Sequence, residues 1–273
     1  MGQRHAAAIV TASVAFVFAV DACGVLGTSD SSALTCSDDP THGSNQWIDN
    51  TKGKGAKEVF RDQKVSELAD AAKKSDTARM RTLLRSGVNP NSQGGGGVTL
   101  LDWALRRQSR SAFDLLLGAG ANPAVVDSSG DNVVRWAAMA GDTTYLALLL
   151  AHHVDPNVGT NRDGSPALVD ALIAGCDRQV RMLVGAKGID LNRADIVGNN
   201  ALITAALIND FRHVLDLLKA GADPLARNKR GATFQLYLGM TPENVLSKDA
   251  KDGLTAIRAW LTAHDVAIEQ RPS

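Results

Sequence analysis

Aromatic residues are scarce in this chain: Phe, Trp and Tyr make up 4% of its 273 residues. A core so poor in rings has to be built from Leu, Ala and Val, which points to small stacked helices and away from a sandwich or barrel. An excess of either charge is also missing, since 29 Lys and Arg stand against 29 Asp and Glu. Nucleic-acid binders usually carry a basic excess, so no nucleic acid is expected as a partner. Signatures of catalysis and of metal binding are lacking as well: there is no His-Glu-x-x-His, no Cys-x-x-Cys and no Gly-x-Ser-x-Gly. Gly94-Gly95-Gly96-Gly97 is followed by no Gly-Lys-Ser/Thr, so it reads as a flexible finger at a turn and not as a phosphate loop. His152-His153 suit a helix C-terminus, where imidazolium meets the negative end of the dipole, and His213 is expected to be solvated. No catalytic residue, no metal site and no cofactor is assigned.

The N-terminus differs from the rest. Arg4 is followed by Ala6 to Val20, 15 residues without a charge. A transmembrane helix needs roughly 20 apolar residues, so the run fits the apolar stretch of a secretory signal over residues 1–22. Val20-Asp21-Ala22-Cys23-Gly24 resembles a bacterial lipobox, with Asp21 as an unusual occupant and Cys23 as the lipidation site. Lipidation at Cys23, cleavage after Ala22 to leave a soluble protein, and an uncleaved anchor are the three readings. All place the folded part outside the cytoplasm. The lipidated form implies a periplasmic, membrane-tethered protein that touches the membrane only through its lipid. Residues 23–60 are rich in Gly, Ser, Thr, Asp and Asn, a composition that buries too little apolar surface to order itself, and read as a flexible tether. An oxidising compartment permits Cys36–Cys176 or, without lipidation, Cys23–Cys36. The preferred reading leaves Cys176 as a buried, unbridged small hydrophobe.

From residue 61 the chain repeats. Gly97, Gly130, Gly164, Gly198 and Gly231 are spaced 33, 34, 34 and 33. Small residues within the first helix of each unit, Ala71, Ala104, Ala137, Ala171 and Ala205, are spaced 33, 33, 34 and 34, as are Leu84, Leu117, Leu150, Val184 and Leu218 at the second helix ends. Asn122-Pro123, Asp155-Pro156 and Asp223-Pro224 follow second helices at the same period. Such a period marks a stack of helix pairs in which no unit buries its own apolar face.

The residues resemble those of the ankyrin repeat family. Leu115 to Pro123 and Leu217 to Pro224 carry its helix-end motif, Thr99-Leu100-Leu101-Asp102-Trp103-Ala104 is similar to its Thr-Pro-Leu-His start without the Pro and His, and Trp136 to Asp142 matches the end of its first helix. The resemblance covers residues 61–268, leaving 269–273 as a tail, and implies an all-α ankyrin-repeat solenoid of about six helix-turn-helix units with short hairpin loops. The first unit, about 64–91, and the last, about 226–268, read as caps. The last carries an insertion, Gly239 to Asp249, before a helix expected from Leu254 to Ala263 with Trp260 and Leu261 facing in. The fold implies a binding module and not an enzyme, by analogy of fold.

In that family the exposed positions of each first helix and the hairpin tips line a concave surface. The positions two and three after each helical Ala are Lys73 and Lys74, Arg106 and Arg107, Met139 and Ala140, Ile173 and Ala174, Leu207 and Ile208. The tips add Ser128, Ser129, Asp131, Arg162, Asp163, Ile196, Val197, Asn199, Lys229 and Arg230. Arg106, Arg107, Met139, Ile173, Leu207, Ile208, Arg162 and Arg230 are the residues expected to meet a protein partner. For Met139, Ile173, Leu207 and Ile208, core and groove remain alternatives. Export signal, tether and short ankyrin array together are similar in organisation to bacterial immunity proteins that block a secreted type VI toxin such as a phospholipase. A periplasmic scaffold, or a protective partner of an envelope enzyme, is the alternative.

Overall fold

A computed structural model describes Cys36, Thr51 and residues 53–160 and 162–269. The signal expected at 1–22, Cys23, most of the expected tether and residues 270–273 lie outside the described residues. The chain divides into two compact units, Ala33–Asp190 and a second that begins at Leu191.

The described part of the first unit is helical: α1 (Ala56–Val59), α2 (Gln63–Lys73), α3 (Thr77–Arg85), α4 (Leu100–Arg106), α5 (Arg110–Gly118), α6 (Val133–Met139), α7 (Thr144–Ala151), α8 (Ala167–Ile173) and α9 (Asp177–Val184). Helices this short are not stable alone, so each depends on its caps and neighbours. Asp62 caps α2 by accepting from the Val65 amide, and Asn132 caps α6 by accepting from the Arg135 amide. Thr99 and Asp102 close a reciprocal capping box at the start of α4. Ala71, Ala104, Ala137 and Ala171 are all buried, as the spacing predicts. Towards the ends of the second helices the buried residues are Leu83, Leu116, Leu149 and Leu183, one position before the expected landmarks, of which Leu117 is buried and Leu84, Leu150 and Val184 are only half-buried. Trp103 is completely enclosed: its indole Nε1 donates to the Ala69 carbonyl at 2.8 Å, and Phe60 meets it edge-on at 5.7 Å.

Between helix pairs the chain forms hairpins that touch through single bridges, Gln93 to Thr99, Val126 to Asn132 and Gly159 to Pro166. The third spans one residue more than the others, which locates the extra residue of the 34-residue spacing inside this loop. The repeated Gly97, Gly130 and Gly164 all take positive φ. At Gly97, φ is +72° and an added Cβ would come within 2.9 Å of the Asp127 and Ser128 backbone, so a side chain is excluded twice. The glycine run is therefore packed, not a flexible finger: an added Cβ at Gly94 would lie 2.7 Å from Val59.

Val59 belongs to a segment expected to be tether. Thr51, Ala56, Val59 and Phe60 are buried against the first repeat, so ordered structure begins before residue 61. The apolar pair Val59-Phe60 supplies what the surrounding Gly- and Asp-rich sequence lacks.

The second unit contains α10 (Ala201–Leu207), α11 (Phe211–Lys219), α12 (Phe234–Leu238) and α13 (Lys248–Ala263). Ala205 is fully buried and the landmark Leu218 is buried too, as the spacing predicts, with Leu217 enclosed beside it. The last helix starts six residues before Leu254, because the Ser247 side chain accepts from the Ala250 amide and caps it at Lys248. The insertion shrinks accordingly and holds one 3₁₀ turn, Glu243–Val245. Leu254, Ile257 and Leu261 face inward, whereas Trp260 is half-buried and stacks on His264 at 3.9 Å. His213 is not solvated: it is 2% exposed, with Nδ1 2.5 Å from Asp210 Oδ2. Glu269 is tied down at the end of the described chain, where its amide donates to Gln235 and its carboxylate accepts from Thr233. Among the described residues no helix is long and apolar enough to cross a membrane.

Candidate partner-binding face

Each pair of positions singled out by the period is the last residue and the C-cap of a first helix: Lys73–Lys74 on α2, Arg106–Arg107 on α4, Met139–Ala140 on α6, Ile173–Ala174 on α8 and Leu207–Ile208 on α10. The pairs therefore occupy equivalent places by construction of the repeat. Lys73, Lys74 and Ile173 are exposed, Arg106, Arg107, Met139, Leu207 and Ile208 are half-buried, and Ala140 and Ala174 are buried. None of the four large apolar residues lies in the core.

In the first unit these ends are not bare. The Arg107 guanidinium stacks over Trp103 at 4.1 Å and donates from Nη2 to the Thr51 carbonyl at 2.8 Å and to the Lys54 carbonyl at 3.2 Å. Arg106 lies 5.7 Å from the Trp136 ring centroid. Cys36 is bridged to Cys176, with 4.9 Å between the Cα atoms. This corrects the reading of Cys176 as unbridged. The residue is buried as expected, but the partner lies 140 positions away. The Cys36 amide also donates to the Ala174 carbonyl at 3.1 Å, and its Sγ touches the Met139 and Ala140 carbonyl oxygens at 3.6 Å. A bridged sulfur carries no proton, so those two approaches are contacts and not hydrogen bonds.

The end of α6 is built to receive this segment. After α2, α4 and α8 the chain reverses through a positive φ at Ser75, Gln108 and Gly175. After α6 it does not: the C-cap Ala140 is extended, at φ −75° and ψ 142°. Its carbonyl then turns outward to accept from the Gln179 side chain and to meet Cys36.

The tips differ in character. Arg162 and Arg230 are exposed. Asp131 is buried, 3.2 Å from Arg135, which also lies 3.5 Å from Asp170 and 3.9 Å from Asp163. Burial pushes the Asp170 carboxyl up to about 7, against the pull of Arg135. Burial likewise raises Asp102 to about 6, despite its bonds from Thr99. In the second unit one tip is apolar, with Ile196 58% and Val197 43% exposed, and the other carries exposed Lys229 and Arg230. That unit also holds a cavity of about 300 Å³ lined by Leu238, Leu254, Leu261, Ile268 and the Arg258–Glu243 pair, the latter at 2.7 Å.

Among known proteins, the family of ankyrin repeats (3 copies) matches residues 101–195. No curated protein matches the chain significantly. An ankyrin repeat domain from Acinetobacter baumannii AYE is 27% identical with a TM-score of 0.58, covering 69% of this chain and 96% of that one. The ankyrin repeat protein EF0377 is 24% identical with a TM-score of 0.57, over 71% and 96%. A chain from the complex of a predatory endopeptidase of Bdellovibrio bacteriovorus with an immunity protein is 19% identical with a TM-score of 0.54, over 70% and 97%. Below a quarter identity the likeness is one of fold alone.

Proposed function

The chain is an ankyrin-repeat protein, and from that premise we propose that it is a non-catalytic protein-binding module of the bacterial cell envelope, serving as the immunity protein of a secreted type VI toxin such as a phospholipase. Ankyrin repeats mediate protein–protein interaction, and the observation that carries the reading is that the first-helix ends already hold a polypeptide. The Cys36 amide donates to the Ala174 carbonyl at the end of α8, its sulfur touches carbonyl oxygens at the end of α6, and the Thr51 carbonyl accepts from the Arg107 guanidinium. A face that meets the Cys36 amide and the Thr51 carbonyl through a carbonyl and a guanidinium has the chemistry to bind the backbone of a partner. Ile173, Met139, Leu207 and Ile208, with the tips Arg162 and Arg230, are the partner contacts proposed on each unit.

Two features support the envelope location. The signal-like N-terminus with Cys23 directs export, and a disulfide persists in oxidising compartments. The endopeptidase–immunity complex supports the finer role only as a precedent for this fold in such an assembly.

The test is capture of envelope and secreted proteins on the full-length chain, identified by mass spectrometry and followed by an activity assay. A secreted hydrolase is expected, inhibited at one equivalent and weakened in binding by Met139→Asp or Arg106→Glu. Capture of cytosolic proteins alone, or of a hydrolase that stays fully active when saturated, overturns the proposal.

A further inference from the structure

The Cys36–Cys176 bridge does something a purely structural staple does not: it places a residue of the chain's own N-terminal segment on the candidate docking face. Three observations converge there. Cys36 is held by its amide to the Ala174 carbonyl and by its sulfur against Met139 and Ala140, so these contacts all fall on the ends of α6 and α8. The turn after α6 departs from its counterparts, with Ala140 extended toward Cys36. Immediately beside the clamp, Ile173 stays 43% exposed, apolar surface for a longer segment to cover.

We propose that the bridge is a releasable clamp: Cys36 occupies the α6–α8 end while oxidised, and reduction by a dithiol vacates it for an extended segment of a partner protein. The two sulfurs differ in access, because Cys176 is wholly buried and Cys36 is half-exposed. A dithiol's thiolate therefore attacks Cys36 Sγ, the Cys36–Cys176 bond breaks, and Cys176 leaves as a thiolate that takes a proton from solvent. The reductant's second thiolate then attacks its own sulfur in the mixed disulfide and releases Cys36 as a thiol. The protein disulfide is reduced to two thiols and the dithiol is oxidised to a disulfide, so electrons and protons balance. The vacated place offers the Ala174 carbonyl to an incoming amide and uncovers the Met139 and Ala140 carbonyls at the end of α6, where Met139 is half-buried.

The inference does not depend on the partner's being a toxin, and its test uses no partner. In the full-length chain, the rate of Met139 sulfoxide formation by hydrogen peroxide is followed by mass spectrometry. Met80, fully buried, and Met240, exposed, serve as slow and fast internal standards. Oxidised wild type is compared with the Cys36→Ser/Cys176→Ser double variant. Wild type treated with dithiothreitol is compared separately by hydrogen exchange over residues 133–140 and 167–176, which covers the case of a variant that folds poorly. A several-fold faster Met139 reaction in the double variant with Met80 unchanged supports the clamp, as does faster exchange confined to the α6 and α8 ends on reduction. Met139 unchanged in the folded double variant, or exchange unchanged in reduced wild type with both thiols demonstrably present, overturns it. So does a parallel rise at Met80 or throughout the unit, which makes the bridge a global staple only.

Discussion

The two units satisfy the same repeat with opposite chemistry at their hairpins. The first buries charge: Arg135 is ringed by Asp131, Asp163 and Asp170, three carboxylates around one guanidinium. In the second a buried hairpin side chain is neutral: the Asn228 amide donates to Asn199 at 3.0 Å and to the Tyr237 hydroxyl at 2.8 Å. A neutral network carries no proton to gain or lose near neutral pH, whereas a buried carboxylate with one shared cation does. The repeat fixes where the polar network goes, and the residues chosen there decide whether it responds to pH.

The largest expected effect removes the first unit's central ring. Trp103→Ala deletes a fully enclosed indole, its bond to Ala69 and the surface on which Arg107 lies. Truncation of a buried Trp or Phe typically costs ~3–5 kcal/mol. Phe234→Ala in the second unit, fully buried but without such a polar bond in its ring, should fall lower in that range. Urea unfolding of both variants checks the order, and an equal or reversed order breaks the assignment of Trp103 as the anchor of its unit.

Next comes pH. Asp170 is raised from its ordinary value to about 7 in the fold, chiefly by burial. The native state therefore binds more protons than the unfolded chain between about pH 4 and 7. Stability from this residue is fully present below the unfolded value and is lost as pH rises through about 7. A tenfold change in proton affinity is worth about 1.4 kcal/mol, so the loss is on the order of 2–4 kcal/mol. Asp170→Asn should raise the melting temperature relative to wild type at pH 8 and leave it nearly unchanged at pH 4, because Arg135 keeps Asp131 and Asp163. A difference that is constant with pH excludes the titration.

Overpacking compares the stacks themselves. Ala137 and Ala205 are both fully buried on first helices. Enlarging either to Leu should cost ~1–3 kcal/mol, the range for added core volume. The same loss at both sites would show that the stacks are equally tight, and no loss at one would mark a void beside it.

Much of this architecture is legible in the sequence, for identifiable reasons. Glycines at hairpin tips and Ala at helix contacts answer to sterics that repeat with the fold, so their spacing survives as a visible period. The core register differs by one from the expected landmarks because Leu83-Leu84, Leu116-Leu117 and Leu149-Leu150 are adjacent pairs, and a period alone does not say which member faces in. His213 carries a readable signal of its burial: Asp210 three residues before it caps α11 and takes its imidazole. Ser247 likewise announces the true start of α13. The bridge is not legible. Cys36 sits among residues with no periodicity, and only the irregular end of α6 shows where it lands. The candidate face is legible as positions, since period and helix ends coincide. Its covering by Cys36 and Thr51 is not, because those contacts use backbone carbonyls that any sequence supplies.

The smallest effects should come from exposed ion pairs, and they provide the baseline for the comparison. Arg79–Glu67 in the first unit and Arg258–Glu243 in the second both close to 2.7 Å, yet Arg79 and Arg258 keep 53% and 49% of their side-chain surface in water. Solvent screens such pairs, and holding two long side chains together costs entropy, so each is worth ~0–1 kcal/mol. Arg79→Ala should therefore shift stability by little and by less still in high salt. Arg258 differs in one respect, since it also lines the second unit's cavity beside Leu254 and Leu261. Arg258→Met keeps an apolar stem there while removing the charge. If the pair matters only as charge, Arg258→Met and Arg258→Ala will melt alike, as Arg79→Met and Arg79→Ala should. If the stem seals the cavity, Arg258→Met alone will hold wild-type stability, and the salt dependence will vanish in both variants.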